Sequence, residues 1–195
     1  VFLQTESIKE ELLNKCKVIS KENVLVLPFY ENMIYPDVVR EKDSFLYVSS
    51  GTMHKNHLNL LHAFANVYKK NNRGTLTLTI SEEFPSVIEV IEKYKNEGVP
   101  IFNLGFVKKE SLASIYASSQ YCIFPSFSES FGLGIIEAIE GGCKIIGSDL
   151  PYLYTICVPS LTFDPNDINS IASKIEEAII CDIKETKLIT ANKIN

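Results

Sequence analysis

The segment YCIFPSFSESFGLGIIEAIEGGCKIIG, residues 121–147, contains the clearest strand–helix–strand pattern in the chain. Residues 121–124 and 144–147 are short apolar runs, and residues 133–140 between them have the pattern of a helix. Short strands that are almost wholly apolar are typical of a parallel sheet covered on both faces. The segment therefore predicts a parallel β–α–β unit with a loop, residues 125–132, after its first strand.

The same alternation continues in both directions from this unit, apart from a polar loop at residues 29–43. The pattern predicts a Rossmann-like, doubly wound α/β fold with a parallel sheet, whose ligands bind at the carboxyl ends of the strands. Further strands are predicted at residues 24–27, 45–48, 75–80, 100–104 and 161–163, and helices at residues 7–16, 85–96 and 168–179 and around residues 57–68 and 112–116.

Composition restricts the class of protein. The 195 residues are 46% hydrophobic and 22% charged, which is the balance of a soluble globular domain. The net charge of −5 argues against a nucleic-acid partner, because phosphate binding requires a basic surface. The five cysteines form no C-x-x-C pair, which favours a reducing compartment, and we expect a cytoplasmic protein. No apolar run reaches the roughly 18 residues of a membrane span.

The loop after the predicted strand 45–48 contains Gly51 and Lys55. A glycine allows the backbone to approach a ligand closely, and a lysine provides a compact cation for a phosphate. The next helix is predicted to begin near Asn56, so its positive end faces the same crevice. A loop with a solvated lysine is an equally good interpretation of these residues alone.

The loop after the predicted strand 100–104 contains Gly105, Phe106 and Val107. Gly105 ends the strand at the crevice, and the two apolar side chains could flank a flat base. These residues alone favour the alternative that Phe106 covers the hydrophobic core.

The loop after strand 121–124 carries the sharpest chemical signal. Glu129 lies in the loop, and Glu137 lies in the first turns of the next helix among apolar neighbours. A carboxylate in such a place can accept hydrogen bonds from two adjacent hydroxyl groups, such as those of a ribose. Gly132 and Gly134 expose backbone N–H groups at a helix start, an arrangement suited to anions. A structural cap or a paired core carboxylate is an equally good interpretation of Glu137 alone.

Other ligand-binding motifs are incomplete. The run Gly132-x-Gly134 does not extend to the G-x-G-x-x-G dinucleotide fingerprint, and the chain has no G-x-x-x-x-G-K-[ST] loop. His54, His57 and His62 do not match H-E-x-x-H. We therefore expect neither a metal ion nor another cofactor.

Taken together, these loops resemble the group 1 retaining glycosyltransferases of GT-B fold. The run PSFSESFGLGIIEAIEGGCKIIGSD, residues 125–149, resembles the family signature, in which a second glutamate follows the first by eight positions. The loop from Gly51 to Asn56 is similar to the branch that carries His-Lys-Asn, Gly105-Phe106-Val107 matches the base-side loop, and residues 163–165 also fit. The resemblance extends in order over residues 24–180.

The resemblance implies a role for each matching residue. Glu137 would hold the ribose hydroxyls, Glu129 would lie beside the donor sugar, and Lys55 would neutralise the diphosphate leaving group. Backbone amides of residues 131–133 would help to hold the sugar and diphosphate. Because no metal is expected, charge stabilisation would come from side chains, amides and a helix dipole. The implied catalytic residues are Glu129 and Lys55, and the implied substrate-binding residues are Glu137, Gly51, Thr52, Phe106, Val107, Ser130, Phe131, Gly132 and Leu133.

One departure from the family concerns the Gly51 loop. Many members have an arginine a few residues before the lysine, whereas this chain has Thr52, Met53 and His54. The phosphate clamp is therefore expected to be weaker, unless His54 contributes to it.

The resemblance also implies a domain organisation. The chain begins at Val1 without a methionine, and we expect a fragment of a longer protein. Residues 1–28 would be the remnant of an N-terminal, acceptor-binding domain and its connection. Residues 29–181 would be the nucleotide-sugar-binding domain, and residues 182–195 a polar C-terminal tail that is poorly ordered. The fragment alone is expected to have little transferase activity.

The implied function is transfer of a sugar from a UDP- or GDP-sugar to a glycan or lipid-linked acceptor with retention of configuration. Bacterial surface polysaccharide synthesis is the commonest setting, with the full-length protein in the cytoplasm or peripheral at the inner face of the membrane. Two alternatives stay open, a sugar-nucleotide epimerase of GT-B fold and a non-catalytic nucleotide-binding α/β domain.

Overall fold

A computed structural model describes residues 1–3, 6–26 and 33–189. The strands in chain order are β1 (Phe2–Leu3), β2 (Leu25–Val26), β3 (Glu41–Tyr47), β4 (Thr75–Leu78), β5 (Ile101–Asn103), β6 (Ser119–Phe124), β7 (Lys144–Ser148), β8 (Cys157–Val158), β9 (Leu161–Phe163) and β10 (Lys187–Leu188). The helices are α1 (Glu6–Lys15), α2 (His57–Asn71), α3 (Pro85–Asn96), α4 (Lys109–Ser118), α5 (Leu133–Glu140), α6 (Pro151–Tyr154) and α7 (Ile168–Ile180), with short 3₁₀ helices at Lys21–Asn23 and Met53–Lys55.

Six of the strands form one parallel sheet in the order β5-β4-β3-β6-β7-β9. The chain moves outward from β3 to β5, returns to the other side of β3 as β6, and moves outward again to β9. This is the doubly wound strand order, and the predicted Rossmann-like fold is confirmed. The reversal between β3 and β6 places a crevice at the carboxyl ends of these two central strands.

The centre of the sheet is buried on both faces. Phe45 of β3 pairs with Tyr121 of β6, and Leu46 pairs with Cys122. These four side chains are at most 3% exposed. Their continuous apolar sequence follows from this position, since helices cover both sides of a doubly wound sheet.

Helices α2 and α7 pack against each other. The predicted stripe on the last helix is confirmed, since Ile171, Ile175 and Ile179 are buried and Ile168 packs against the core. Asp167 precedes helix α7 as its N-cap, and its carboxylate accepts a hydrogen bond from the Asn169 N–H group at 2.8 Å. This N-cap satisfies one of the free amide groups at the helix start.

The first strand of the large sheet begins earlier than its predicted start at residue 45. Strand β3 begins at Glu41, inside the predicted loop 29–43. The Asp43 N–H group donates to the Gln120 side-chain oxygen at 2.7 Å, and the Gln120 N–H group donates to the Ser44 hydroxyl at 2.9 Å. The first residues of β3 are polar and their hydrogen bonds are made to a neighbouring strand, so hydrophobic periodicity could not indicate that the strand begins at Glu41.

The segment predicted as a poorly ordered tail differs from that expectation over residues 182–189. Ile183 packs in the core, and the Ile145 N–H group donates to the Thr186 hydroxyl at 2.7 Å. Strand β10 pairs with β8 in antiparallel orientation. Residues 190–195 lie outside the described residues, as do Leu27 of the predicted strand 24–27 and residues 28–32.

Within the part of the chain that the structure describes, no helix combines the length and the apolar character needed to cross a bilayer.

The central strand offers a test of the sheet order. Leu46 of β3 is fully buried, so Leu46→Ala should lower the free energy of unfolding by about 3 kcal/mol, because it removes apolar contacts and leaves a cavity. Val39 is 93% exposed, and Val39→Ala should change the free energy by less than about 0.5 kcal/mol. Urea denaturation measures both values, and equal effects would contradict the placement of β3 at the centre.

Candidate functional site

A cleft of about 360 Å³ lies at the carboxyl ends of β3 and β6, where the strand order reverses. The loops that follow these two strands form its walls, and the start of α5 forms one end. The lining residues are Val48, Ser49, Ser50, Lys55, Phe124, Glu129, Ser130, Phe131, Gly132, Leu133, Gly134 and Ile135.

The two loops are held together by hydrogen bonds between residues far apart in sequence. The Phe127 N–H group donates to the His54 carbonyl oxygen at 2.8 Å. The Asn56 side-chain amide donates to the carbonyl oxygens of Pro125 at 3.1 Å and Pro165 at 2.8 Å. Asn56 has a φ of 58°, in the left-handed region that asparagine tolerates better than most residues. These hydrogen bonds therefore join the two loops to each other just before α2 begins.

A charged pair crosses the cleft from one loop to the other. The Lys55 ammonium group lies 2.7 Å from Glu129 Oε2, and the side chains are only 16% and 12% exposed. Salt screens a pair at such a depth less than it screens surface charges. Both predicted catalytic residues therefore lie side by side in the cleft.

The other oxygen of Glu129 is held by two buried hydroxyl groups in series. The Ser126 hydroxyl donates to Glu129 Oε1 at 2.6 Å, and the Tyr47 hydroxyl lies 2.6 Å from Ser126 Oγ. The Tyr47 hydroxyl oxygen also lies 3.1 Å from the Lys55 carbonyl oxygen, so its single proton has two possible acceptors. Burial raises the pKa of Tyr47 well above its usual range, so the phenol keeps its proton.

Helix α5 begins at the cleft and presents its positive end there. Gly132 is the N-cap residue, with a φ of 68°, and Gly132, Leu133 and Gly134 all line the cleft. A Cβ atom on Gly132 would overlap the Ile156 side chain. The position therefore favours glycine for its conformation, and a larger residue would also displace the end of the Ile156 side chain.

Glu137 lies one turn further along α5 and is outside the cleft lining. It is 7% exposed, and its Oε2 atom accepts a hydrogen bond from the Tyr116 hydroxyl at 3.3 Å. Burial raises the pKa of Glu137, while the Tyr116 hydrogen bond and the nearby Lys109 charge oppose the shift. The structure thus places Glu137 as a buried carboxylate with a phenol partner.

The Gly51 loop is shaped by Phe84 and His57. A Cβ atom on Gly51 would overlap the Phe84 ring, so the glycine accommodates a neighbouring side chain. The His57 Nε2 atom lies 2.9 Å from the Ser50 carbonyl oxygen, and burial lowers the pKa of His57 to about 4. A neutral His57 therefore donates to the Ser50 carbonyl oxygen and holds the loop in place. Within the loop, the Thr52 and Ser50 hydroxyl groups lie 3.1 Å apart.

The structure brings together six of the predicted site residues in the cleft. These are Lys55, Glu129, Ser130, Phe131, Gly132 and Leu133. The other five are described residues that do not line it: Gly51, Thr52, Phe106, Val107 and Glu137. Phe106 is 83% exposed, so the alternative that it covers the core is wrong.

Sequence reasoning missed the residues that orient the predicted ones. Tyr47, Tyr116, Ser126 and His57 were not among the predicted site residues, but all four contribute polar contacts to this region. One available signal was a polar serine, Ser126, two residues after the apolar strand 121–124.

The sequence model of a protein family described as "Glycosyl transferases group 1" matches residues 36–194. The chain belongs to this family. The matched residues include both loops of the cleft, α5 and the whole large sheet.

Several known proteins are similar to parts of this family member. O-antigen chain mannosyltransferase B of Escherichia coli is 34% identical over 92 residues, which are 47% of this chain and 24% of that protein. The GtfA subunit of the UDP-N-acetylglucosamine–peptide N-acetylglucosaminyltransferase of Streptococcus agalactiae is 40% identical over 60 residues, which are 31% of this chain and 11% of that protein.

Solved structures show the same fold. The pneumococcal O-GlcNAc transferase GtfA, in complex with UDP and GlcNAc, matches with a TM-score of 0.75 and 21% identity over 90% of this chain and 37% of that one. Sucrose-phosphate synthase of Thermosynechococcus elongatus matches with a TM-score of 0.71 and 25% identity over 91% of this chain and 48% of that one. The chain therefore spans less than half the length of each protein named here.

Two glycines with positive φ provide a matched test of the α5 start. Gly98 has a φ of 82° and open space around a Cβ position, so Gly98→Ala should cost about 1 kcal/mol from backbone strain alone. Gly132→Ala should cost more, about 2 kcal/mol, because the end of the Ile156 side chain must also move aside. Urea denaturation compares the two, and a Gly132→Ala cost no larger than that of Gly98→Ala would show that Ile156 does not confine the helix start.

The buried position of Glu137 predicts a pH dependence of stability. A raised carboxyl pKa favours the protonated form, so the contribution of Glu137 to stability is lost as pH rises above the ordinary value of 4.5. Glu137→Gln should therefore gain stability relative to the unchanged chain between pH 4 and pH 7.5, measured by urea midpoints.

Glu97 is the control for this experiment. The hydrogen bond from Lys69 lowers its pKa, so Glu97→Gln should change in the opposite direction with pH. The same pH trend in both variants would contradict the assignment for Glu137.

Proposed function

We propose that this chain is the donor-binding domain of a retaining glycosyltransferase, which transfers a sugar from a UDP- or GDP-sugar to a glycan or lipid-linked acceptor. The observation that carries the proposal is the Lys55–Glu129 pair, 2.7 Å apart, in the cleft at the reversal of strand order. Doubly wound domains bind nucleotides at this position, and the chain belongs to a glycosyl transferase family.

The cleft offers two sources of positive potential for a diphosphate. The Lys55 ammonium group lies on one wall, and the amide groups of Phe131, Gly132 and Leu133 lie at the start of α5. The first amides of a helix have no partner within the helix, so they are free to donate to phosphate oxygens. Together these groups would stabilise the negative charge that develops as the diphosphate leaves.

Glu137 is proposed to hold the ribose. An ionised carboxylate can accept about four hydrogen bonds, and the Tyr116 hydroxyl uses only one of these sites. Gly51, Thr52 and Ser130 would complete the phosphate and sugar contacts, and Phe106 and Val107 would lie on the side of the base.

The proposed reaction retains the configuration of the sugar. The bond from the anomeric carbon to the diphosphate oxygen breaks, and the acceptor hydroxyl forms its new bond on the same face of the sugar. The hydroxyl proton leaves with the diphosphate. Glu129 would lie beside the donor sugar during this step, next to Lys55.

The biological setting is proposed from the relatives. An O-antigen chain mannosyltransferase and a transferase named for UDP-N-acetylglucosamine are among them, and we keep both UDP- and GDP-sugars as candidate donors. We propose a bacterial protein of surface polysaccharide synthesis in the cytoplasm, peripheral at the inner face of the membrane. Residues 1–28 would connect to an acceptor-binding domain, without which this chain would transfer little sugar.

Nucleotide binding tests the proposal directly. UDP, GDP and their sugars are titrated into the chain, and the thermal midpoint and calorimetric affinity are measured. One of the two base classes should stabilise the fold by about 2.7 kcal/mol at a hundredfold excess over its Kd. Lys55→Met and Glu137→Ala should each weaken this binding about tenfold, because each removes a charged hydrogen-bond partner.

Lys95→Met is the matched control, because Lys95 pairs with Glu92 on the exposed surface of α3 and should leave binding unchanged. Absence of binding by every nucleotide would sink the proposal and favour a domain with another role. Conversion of a free sugar nucleotide without any acceptor would favour an epimerase instead.

A further inference from the structure

Glu129 is held by two separate anchors, one on each carboxylate oxygen. The Lys55 ammonium group holds Oε2 at 2.7 Å, and the Ser126 hydroxyl holds Oε1 at 2.6 Å. Lys55 belongs to the loop after β3, whereas Ser126 directly follows Pro125 at the end of β6. The two anchors therefore restrain the same carboxylate from opposite walls of the cleft.

The direction of the hydrogen bonds follows from the available protons. Ser126 has a single hydroxyl proton, and a carboxylate paired with a lysine can only accept. The Ser126 proton therefore points to Glu129. Tyr47 also has a single proton, and its 2.6 Å contact with Ser126 Oγ is shorter than its 3.1 Å contact with the Lys55 carbonyl oxygen, so Ser126 Oγ accepts from the Tyr47 hydroxyl. Both Ser126 and Tyr47 are fully buried, so water does not compete for these groups.

The two anchors have different fates when a donor binds. Under the proposed function, the Lys55 ammonium group turns to the diphosphate and its hold on Oε2 weakens. Ser126 has no such alternative, because its hydroxyl is enclosed between Tyr47 and Glu129. The serine is then the anchor that keeps the carboxylate in place.

We propose that Ser126, aligned by the Tyr47 hydroxyl, is a positioning residue that keeps Glu129 directed at the donor sugar once Lys55 engages the diphosphate. This inference rests on the proposed function. Ser126 acts on the carboxylate beside the sugar, whereas Lys55 acts on the diphosphate leaving group, so the two residues affect different parts of the donor.

A comparison within the same sheet shows why this chain of hydroxyls is more than a core contact. The Tyr121 hydroxyl is also buried, and it donates to the Ala178 carbonyl oxygen at 2.6 Å. That hydrogen bond ends on helix backbone. The bond from Tyr47 leads instead through Ser126 to a carboxylate that lines the cleft.

The experiment uses Ser126→Ala and Tyr47→Phe, with Tyr121→Phe as the matched control. Calorimetry measures the affinity of each protein for UDP, GDP, UDP-N-acetylglucosamine and GDP-mannose. Ser126→Ala should weaken binding of the preferred sugar nucleotide about tenfold, the effect of one charge-assisted hydrogen bond, and leave the parent diphosphate within about twofold. Tyr47→Phe should show the same selectivity to a smaller extent, and Tyr121→Phe should leave all affinities unchanged.

Crystal structures with the bound diphosphate provide a second readout. In the unchanged protein, Glu129 should still accept from Ser126 while Lys55 contacts phosphate. In Ser126→Ala the carboxylate should rotate away from this position. If Ser126→Ala does not fold, Tyr47→Phe keeps the hydroxyl of Ser126 and carries the test.

The outcomes separate two failures. If the unchanged chain binds neither the diphosphates nor the sugar nucleotides, the proposed function fails and the inference fails with it. Suppose instead that the unchanged chain binds them. If both variants lose affinity for the diphosphate and the sugar nucleotide equally, or lose affinity for neither ligand, Ser126 is a structural residue and only the inference is overturned. The same conclusion follows if Glu129 keeps its position in Ser126→Ala.

Discussion

Strands β3 and β6 lie side by side at the centre of the sheet, and the chain leaves them toward opposite edges. Right-handed connections then place the following helices on opposite faces, so the loops after these two strands separate and leave a crevice between them. The rest of the site depends on this pairing. Lys55 and Glu129 are 74 residues apart in sequence and meet because their strands are neighbours.

The pair that meets there is costly to bury. Removal of two charged groups from water costs several kcal/mol for each ion, and an apolar pair of similar volume would often be at least as stable. A polar network that is fully satisfied also holds its members in one arrangement. The network of Lys55, Glu129, Ser126 and Tyr47 is therefore better explained by a function that requires charged groups at a defined position than by a contribution to the stability of the fold.

Membership of the group 1 glycosyl transferases and the shared fold agree with this view of the cleft. The loop after β3 carries Thr52, Met53 and His54 directly before Lys55. In the structure, the backbone of His54 connects this loop to the other wall through Phe127. The loop is thus held by a backbone contact, and its Lys55 side chain lines the cleft.

The sequence alone was enough to predict the alternating strands and helices and the doubly wound class. It also pointed to residues 128–137 as the chemical centre, and residues 129–135 of that segment line the cleft. These features are local, because strand and helix periods and helix-start glycines are visible within one segment. Only the tertiary structure revealed that Ser126 and Tyr47, 79 residues apart, lie in one hydrogen-bonded series that ends on Glu129. It also revealed that the Phe84 ring leaves no room for a side chain at Gly51, and that residues 182–189 pack on the domain. Each of these contacts depends on which strands become neighbours, and strand order is a property of the whole chain that no single segment encodes.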